Sequence, residues 1–310
     1  DRCEPVELLR LRRHQRHPGL LEGVSLSSED IADGEGVPFD DRGLAYGDGL
    51  FETVLVRDGV ATLWEAHMAR LVRGGERLGI PVPSRSALNA LPARAGAGLW
   101  VLKLTLTRGS GGRGYRLPDM PAPRLRWRVT PFTPAPERWW QGIRVRHCRL
   151  ALGIQPRLAG LKHLNRLENV MARAEWQDPE IAEGLLCDSE GRLVEATSMN
   201  LFWQRAGRLE TPGLARCGVA GTLRDALCRR LGIEEVDAGP ETLESAEAVW
   251  LGNAVQGLWP VRRLDDDQGQ KLADWRIGRL HRALQAEAHA LLGYPCHDDD
   301  AGERDEEDEA

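Results

Sequence analysis

Between Asp41 and Val261 the apolar positions alternate with polar ones in short runs, and elsewhere return at steps of three and four, the signatures of strands and helices. Phe51, Thr53 and Leu55 fall on one face of a predicted strand, with Glu52, Val54 and Val56 on the other. Asp58-Gly59 marks a hairpin turn to a short second strand, and WEAHMARL begins a helix that Gly79, Pro81 and Pro83 terminate. A short helix is expected from Ser84, a buried strand at LWVLKLTLTRG (99–109), and another strand from Leu125 to Val129. The proline-rich TPFTPAPE (130–137) is read as an irregular connection and holds the domain boundary.

Beyond it, Gly142 to Cys148 is a predicted strand, and Gly184 to Asp188 and Leu193 to Ala196 flank the turn Ser189-Glu190-Gly191 as an antiparallel pair. MNLFW continues as a strand, CGVAGTLRDAL (217–227) as a loop opening a helix, and EAVWLGNAVQGLWPV (247–261) as strand, turn at Asn253 and strand. In LAGLKHLNRLENV (158–170) a single lysine, Lys162, precedes a helical pattern in which Leu164, Leu167, Met171 and Ala174 share an apolar face. The mixture indicates an α/β (α+β) protein. It divides into an irregular extension (1–36), a small α/β domain (37–130), a linker (131–137), a larger domain (138–296) and an acidic tail (297–310).

Composition narrows the class. With 310 residues, 42% hydrophobic and 28% charged, the chain is long enough for one large or two medium globular domains. It has no run of eighteen apolar residues and no basic segment leading into an apolar core at its start, which argues against a membrane span or signal peptide and makes the cytoplasm the expected compartment. The net charge of −6 comes from the end: residues 298–310 hold nine acids and one arginine, or −8, leaving +2 for the rest. That tail reads as a solvated, disordered end. Basic residues are spread without interleaved aromatics, so no nucleic-acid footprint stands out. Six cysteines lack metal-ligand or disulfide spacing and are expected to be reduced and mostly buried, and no metal site is expected.

A lysine fixed near a helix start, or partly desolvated, gives up some preference for its ammonium form and becomes a usable nucleophile. Spacing alone would leave Lys162 a solvated surface residue. The segment around it, together with TRGSGGRGY (107–115) and EGLLCDSEGRLVEATSMNLFW (183–203), resembles the aminodeoxychorismate lyases, which belong to the fold type IV pyridoxal-phosphate enzymes. The similarity runs from about Asp40 to about Leu264. It implies two domains, an antiparallel-sheet N-terminal one and a pseudo-barrel C-terminal one, with pyridoxal 5'-phosphate in the cleft between them, and a homodimer.

By this resemblance Lys162 is the catalytic amine that condenses with the cofactor aldehyde and moves protons. Glu195 faces the pyridine nitrogen; Arg70, in the family's H-x-x-R-L pattern with His67, binds the phosphate with the backbone around Thr222, Leu223, Asn253 and Ala254. Tyr46 is expected near the active site, and Arg108 and Arg113 to hold a substrate carboxylate. The implied reaction takes a small-molecule substrate, 4-amino-4-deoxychorismate, to 4-aminobenzoate and pyruvate. Two alternatives stay open: a D-amino-acid or branched-chain aminotransferase on the same scaffold, and a non-catalytic cofactor- or nucleotide-binding protein. The GSGGRG loop matches neither the spacing of a phosphate-binding P-loop nor that of a dinucleotide fingerprint.

Overall fold

Alternation along Gly49–Arg57 produces strand β1, whose Val54 and Val56 are buried while Phe51 and Thr53 are only half-buried on the other face. The computed structural model describes residues 36–296. The expected N-terminal extension, with its candidate strand at Leu20 to Gly23, and the acidic tail lie outside the described residues. Asp58 and Gly59, with φ of 51° and 77°, supply the left-handed pair of a tight hairpin leading to β2 (Val60–Ala61). Ahead of β1, Asp41 caps a one-turn helix α1 (Arg42–Tyr46) by accepting the Gly43 N–H at 2.8 Å.

The chain continues through α2 (Trp64–Leu78), ended by Gly79 at φ 64°, and α3 (Arg85–Asn89), capped by Ser84, to β3 (Leu99–Thr107) and β4 (Arg124–Pro131). These strands form a four-stranded antiparallel sheet in the order β2-β1-β3-β4. Met68 and Leu71 of α2 pack on Val54, Val56, Leu102, Leu104 and Leu106. Each such side chain contributes about 1.5–3 kcal/mol on burial.

The connection after β4 is more ordered than its prolines suggest. Pro136 opens α4 (Pro136–Trp140), a position where the missing N–H costs nothing, and Trp139 is buried with its Nε1–H donated to the Gln256 carbonyl at 2.7 Å. There follow β5 (Ile143–His147), α5 (Leu167–Arg173), β6 (Ile181–Cys187), β7 (Leu193–Ala196), β8 (Asn200–Arg205) and β9 (Arg208–Pro212). The last elements are α6 (Thr222–Leu231), β10 (Glu234–Val236), β11 (Ala248–Asn253), β12 (Gly257–Asp265), β13 (Lys271–Asp274) and α7 (Arg279–Leu292).

Their nine-stranded sheet runs β10-β9-β8-β11-β12-β5-β6-β7, with β13 beside β12. A tight turn, in which the Ala196 N–H bonds to the Met199 carbonyl at 2.8 Å, carries β7 directly into β8. Strands distant in the order are thereby drawn together and the sheet curls into a partial barrel. Its core holds Leu201, Trp203, Trp250 and Leu258 with Leu227 of α6 and Leu284, Ala288 and Leu292 of α7. Helix α7 is an element that the pattern analysis does not single out, although these three buried positions are four residues apart.

Of the five cysteines among the described residues, all free, only Cys217 is buried; Cys148, Cys187 and Cys228 are half-buried and Cys296 is exposed. The expectation of mostly buried cysteines is corrected accordingly. Burial pushes the Cys148 and Cys217 thiols up to about 12, which leaves them protonated and unreactive.

Gly49 is pressed between β3 and the Leu164 side chain. A Cβ there would stand 2.4 Å from the Leu106 carbonyl oxygen and 2.7 Å from Leu164 Cδ1. Gly49→Ala is therefore expected to lower the unfolding free energy by about 1–3 kcal/mol in urea denaturation. Wild-type stability in that variant would mean that β1 and the Leu164 segment are free to separate.

Candidate active site

Lys162 is held by backbone pairing, not by a helix. The Phe51 N–H bonds to the Lys162 carbonyl at 2.9 Å and the Leu164 N–H to the Gly49 carbonyl at 3.0 Å, adding the segment to the free edge of β1. Two residues earlier, the Gly160 N–H bonds to the Gly218 carbonyl at 2.9 Å and the Ala220 N–H to the Gly160 carbonyl at 3.2 Å. The lysine thus sits on a short extended bridge between the first sheet and the loop before α6. Extended backbone alternates its side chains: Leu161 and His163 are buried, and Lys162 turns the other way into a cavity.

The expected helix begins only at Leu167, because residues 162–164 spend their backbone on β1. Its amphipathic face is also reversed. Leu167 and Met171 are 69% and 56% exposed, whereas Arg166, Asn169 and Arg173 line the cavity. Lys162 Nζ lies 4.4 Å from the Phe51 ring centroid, and burial, reinforced by the Arg70 charge, lowers its pKa to about 8. Glu52 and Glu195 act in the opposite sense on the same amine, so both carboxylates are close enough to be felt.

Behind the cavity is a buried cluster that the sequence reading missed. Arg70 donates to Glu52 through Nε (2.8 Å) and Nη2 (2.5 Å), and through Nη1 to the Ala220 carbonyl (2.8 Å). His67 Nδ1 is 2.6 Å from Glu52 Oε2. Burial alone would raise the Glu52 carboxyl, but Arg70 and His67 outweigh it and bring it down to about 2. An ionised carboxylate only accepts, so His67 carries its proton on Nδ1; burial keeps the ring neutral, and Nε2 accepts from the Thr222 hydroxyl at 3.3 Å. The available signal was positional: Glu52 shares the core face of β1 with Val54 and Val56, and a buried acid requires cations such as the His67 and Arg70 pair on one helix face.

The opposite wall comes from the second sheet. Glu195, on β7, accepts the Val219 N–H at 2.8 Å, and burial raises its pKa. Glu183 of β6 accepts the hydroxyls of Thr197 and Ser198, and burial raises it too. Asn253 closes the β11–β12 turn by accepting the N–H groups of Val255 (2.9 Å) and Gln256 (2.8 Å), and donates to the Ser198 carbonyl at 3.2 Å. Thr222 opens α6 at the cavity, where the first N–H groups of a helix lack intrahelical acceptors.

The resulting cavity measures about 670 Å³. It brings together Lys162, Arg70, Glu195, Thr222, Asn253 and Ala254 of the residues expected there. The Leu223 side chain is buried in the second core, and its backbone N–H, the group expected to matter, lies in the first turn of α6. Arg108 lies outside the cavity, its guanidinium spent on Asp48 (2.8 and 3.0 Å) and on the Leu78 and Gly79 carbonyls (2.7 and 2.8 Å). Arg113 is exposed on its loop, and Tyr46 packs against the Tyr115 ring at 5.4 Å; neither lines the cavity.

A family model described as amino-transferase class IV matches residues 49–264. The chain belongs to the class IV aminotransferase family. It is 35% identical over 259 residues to the aminodeoxychorismate lyase of Vibrio harveyi, covering 80% of this chain and 94% of that protein. The crystal structure of 4-amino-4-deoxychorismate lyase from Pseudomonas aeruginosa superposes with a TM-score of 0.77 at 43% identity, covering 84% of this chain and 97% of that one. A D-alanine aminotransferase from Bacillus licheniformis is 24% identical over 262 residues, covering 80% of this chain and 89% of that protein.

The class IV match starts at the first residue of β1 and stops inside β12, so it spans both walls of the cavity and leaves α7 outside. Within it, the Glu52–Arg70 pair is the most heavily buried ionic contact of the site. Glu52→Gln is expected to cost about 3–5 kcal/mol at neutral pH, because Arg70 keeps a buried charge without its counter-charge. The wild-type carboxyl is lowered from 4.5 to about 2, so its stabilisation is complete above pH 4.5 and is lost as pH falls toward 2. Urea denaturation at several pH values should show the two proteins converging in acid; a constant difference would contradict the assignment.

Proposed function

We propose that this protein is a pyridoxal-phosphate-dependent lyase that converts 4-amino-4-deoxychorismate to 4-aminobenzoate and pyruvate, a step toward folate, and that it works as a cytoplasmic homodimer. The observation that carries the reading is the Lys162 amine, held at a lowered pKa in a cavity shared with Glu195, in a chain more similar to the two lyases than to the D-alanine aminotransferase.

The residues present suit the cofactor. Arg70 makes three hydrogen bonds to protein, leaving two of its five N–H groups for a phosphate beside the start of α6 and the Asn253–Ala254 turn. Glu195 is the acid available to a pyridine nitrogen, and Lys162 the amine available to an aldehyde. When bound, pyridoxal phosphate would supply an electrophilic aldehyde and a ring that spreads negative charge.

The protein's part is proton movement. Lys162 Nζ, near its own pKa at neutral pH, takes the proton from C4 of the substrate. The C3–O bond to the enolpyruvyl group then breaks, leaving an aromatic ring. Lys162, or the Thr197 or Ser198 hydroxyl that lines the same cavity and is held by Glu183, returns a proton to the enol carbon, giving pyruvate. The dimer is supported by exposed apolar side chains outside the core, including Phe39 at 94%, Tyr115 at 87% and Met120 at 86%. Among the described residues no helix is long and apolar enough to cross a membrane.

Purified protein supplied with pyridoxal phosphate should release 4-aminobenzoate from 4-amino-4-deoxychorismate, and Lys162→Ala should abolish release. Conversion of the bound cofactor to its pyridoxamine form by D-alanine or leucine, without 4-aminobenzoate, would make the protein an aminotransferase instead. Cofactor attachment to Lys162, located by borohydride reduction and peptide mapping, should accelerate as pH rises through about 8 and then level off. Acceleration continuing toward 10.5, the ordinary lysine value, would show an unperturbed amine.

A further inference from the structure

The reversed face of α5 adds two cations to the cavity that feel the Glu195 and Glu183 charges without forming a direct ion pair. Four cationic side chains (Arg70, Lys162, Arg166 and Arg173) line the cavity against two carboxylates, Glu183 and Glu195. Arg70 is neutralised from behind by Glu52, Glu183 accepts two hydroxyls and Glu195 a backbone N–H. Arg166 and Arg173 have no ion pair among the described residues.

Arg166 is held ready. Its Nε donates to the His163 carbonyl at 3.2 Å and its Nη2 to His163 Nε2. A guanidinium has no lone pair to offer, so His163 Nε2 must accept and the ring proton resides on Nδ1. Burial holds this imidazole neutral, with a pKa near 4, so it orients the arginine without cancelling its charge. Nη1 is left for a ligand. Arg173, two turns along on the same edge of α5, stacks on Trp176 at 4.6 Å and bonds to the Trp176 carbonyl at 3.2 Å; it is exposed at the cavity mouth.

We propose that Arg166, with Arg173 at the mouth, is the carboxylate receptor of this cavity and selects a dicarboxylate amine over an ordinary amino acid. This rests on the lyase reading and gives it a specificity determinant in place of Arg108 and Arg113. An α-amino acid bears a carboxylate on the carbon that carries its amine. 4-Amino-4-deoxychorismate bears two, both on carbons remote from the amine. A planar fork that never deprotonates matches such an anion.

The test is calorimetric titration of the pyridoxal-phosphate-loaded protein with chorismate, which keeps both carboxylates but has a hydroxyl in place of the amine. Binding to wild type should weaken at least tenfold in Arg166→Ala, less in Arg166→Lys, and about threefold in Arg173→Ala, with KM for the amine substrate rising more than kcat falls. Melting curves identify any variant that is unfolded, and Arg166→Lys, which keeps the charge, then carries the comparison. Chorismate binding in folded Arg166 variants equal to wild type, alongside normal 4-aminobenzoate release, overturns the receptor while leaving the lyase standing. Arg166-dependent chorismate binding without any 4-aminobenzoate release supports the receptor and removes the lyase.

Discussion

Two hydrogen bonds between Gly49, Phe51, Lys162 and Leu164 fix everything that the site can do. They make the lysine-bearing segment a partial strand of the first sheet, while Gly160 joins the same segment to the loop before α6. A lysine side chain is long and flexible, and its usefulness depends on removing that freedom at the backbone. Strand alternation then decides direction: neighbours Leu161 and His163 go into protein, so the amine has only the cavity.

The charges around that amine are arranged in two layers. In the outer layer Glu52, Arg70 and His67 satisfy one another and reach across to Ala220 and Thr222, so a buried ion pair also serves as a fastener between the halves. In the inner layer Lys162 and Glu195 share the cavity without a direct hydrogen bond or ion pair to each other, each shifted toward its neutral form by burial. Glu52 offsets the Arg70 charge in the outer layer, so the lysine is lowered only to about 8 and holds both protonation states near neutral pH.

Much of this was legible in the sequence because local periodicity and global burial agree. The strand at Gly49–Arg57, the Asp58-Gly59 hairpin, the helix stopped at Gly79 and the β11–β12 turn at Asn253 all fall where the pattern puts them. The failures share a physical cause: tertiary contact overrode a local signal. Helix α5 carries an apolar stripe, yet its polar edge faces inward because the cavity lies there. Arg108 stands in a loop suited to ligands, yet Asp48 and two helix-end carbonyls use its donors. Glu52 shows in the sequence only as an acid on the core face of β1, and which cations answer it becomes definite once α2 is laid across that strand.

The bridge at residues 160–164 also has a bearing on how the molecule comes into being. A nascent chain delivers β1 first, then Lys162, and only much later Gly218 and Ala220, so the lysine segment leaves synthesis with one of its two anchors still to be made. Because such distant partners must close long loops before they stabilise anything, the cavity cannot be complete until the loop before α6 has been made and docked.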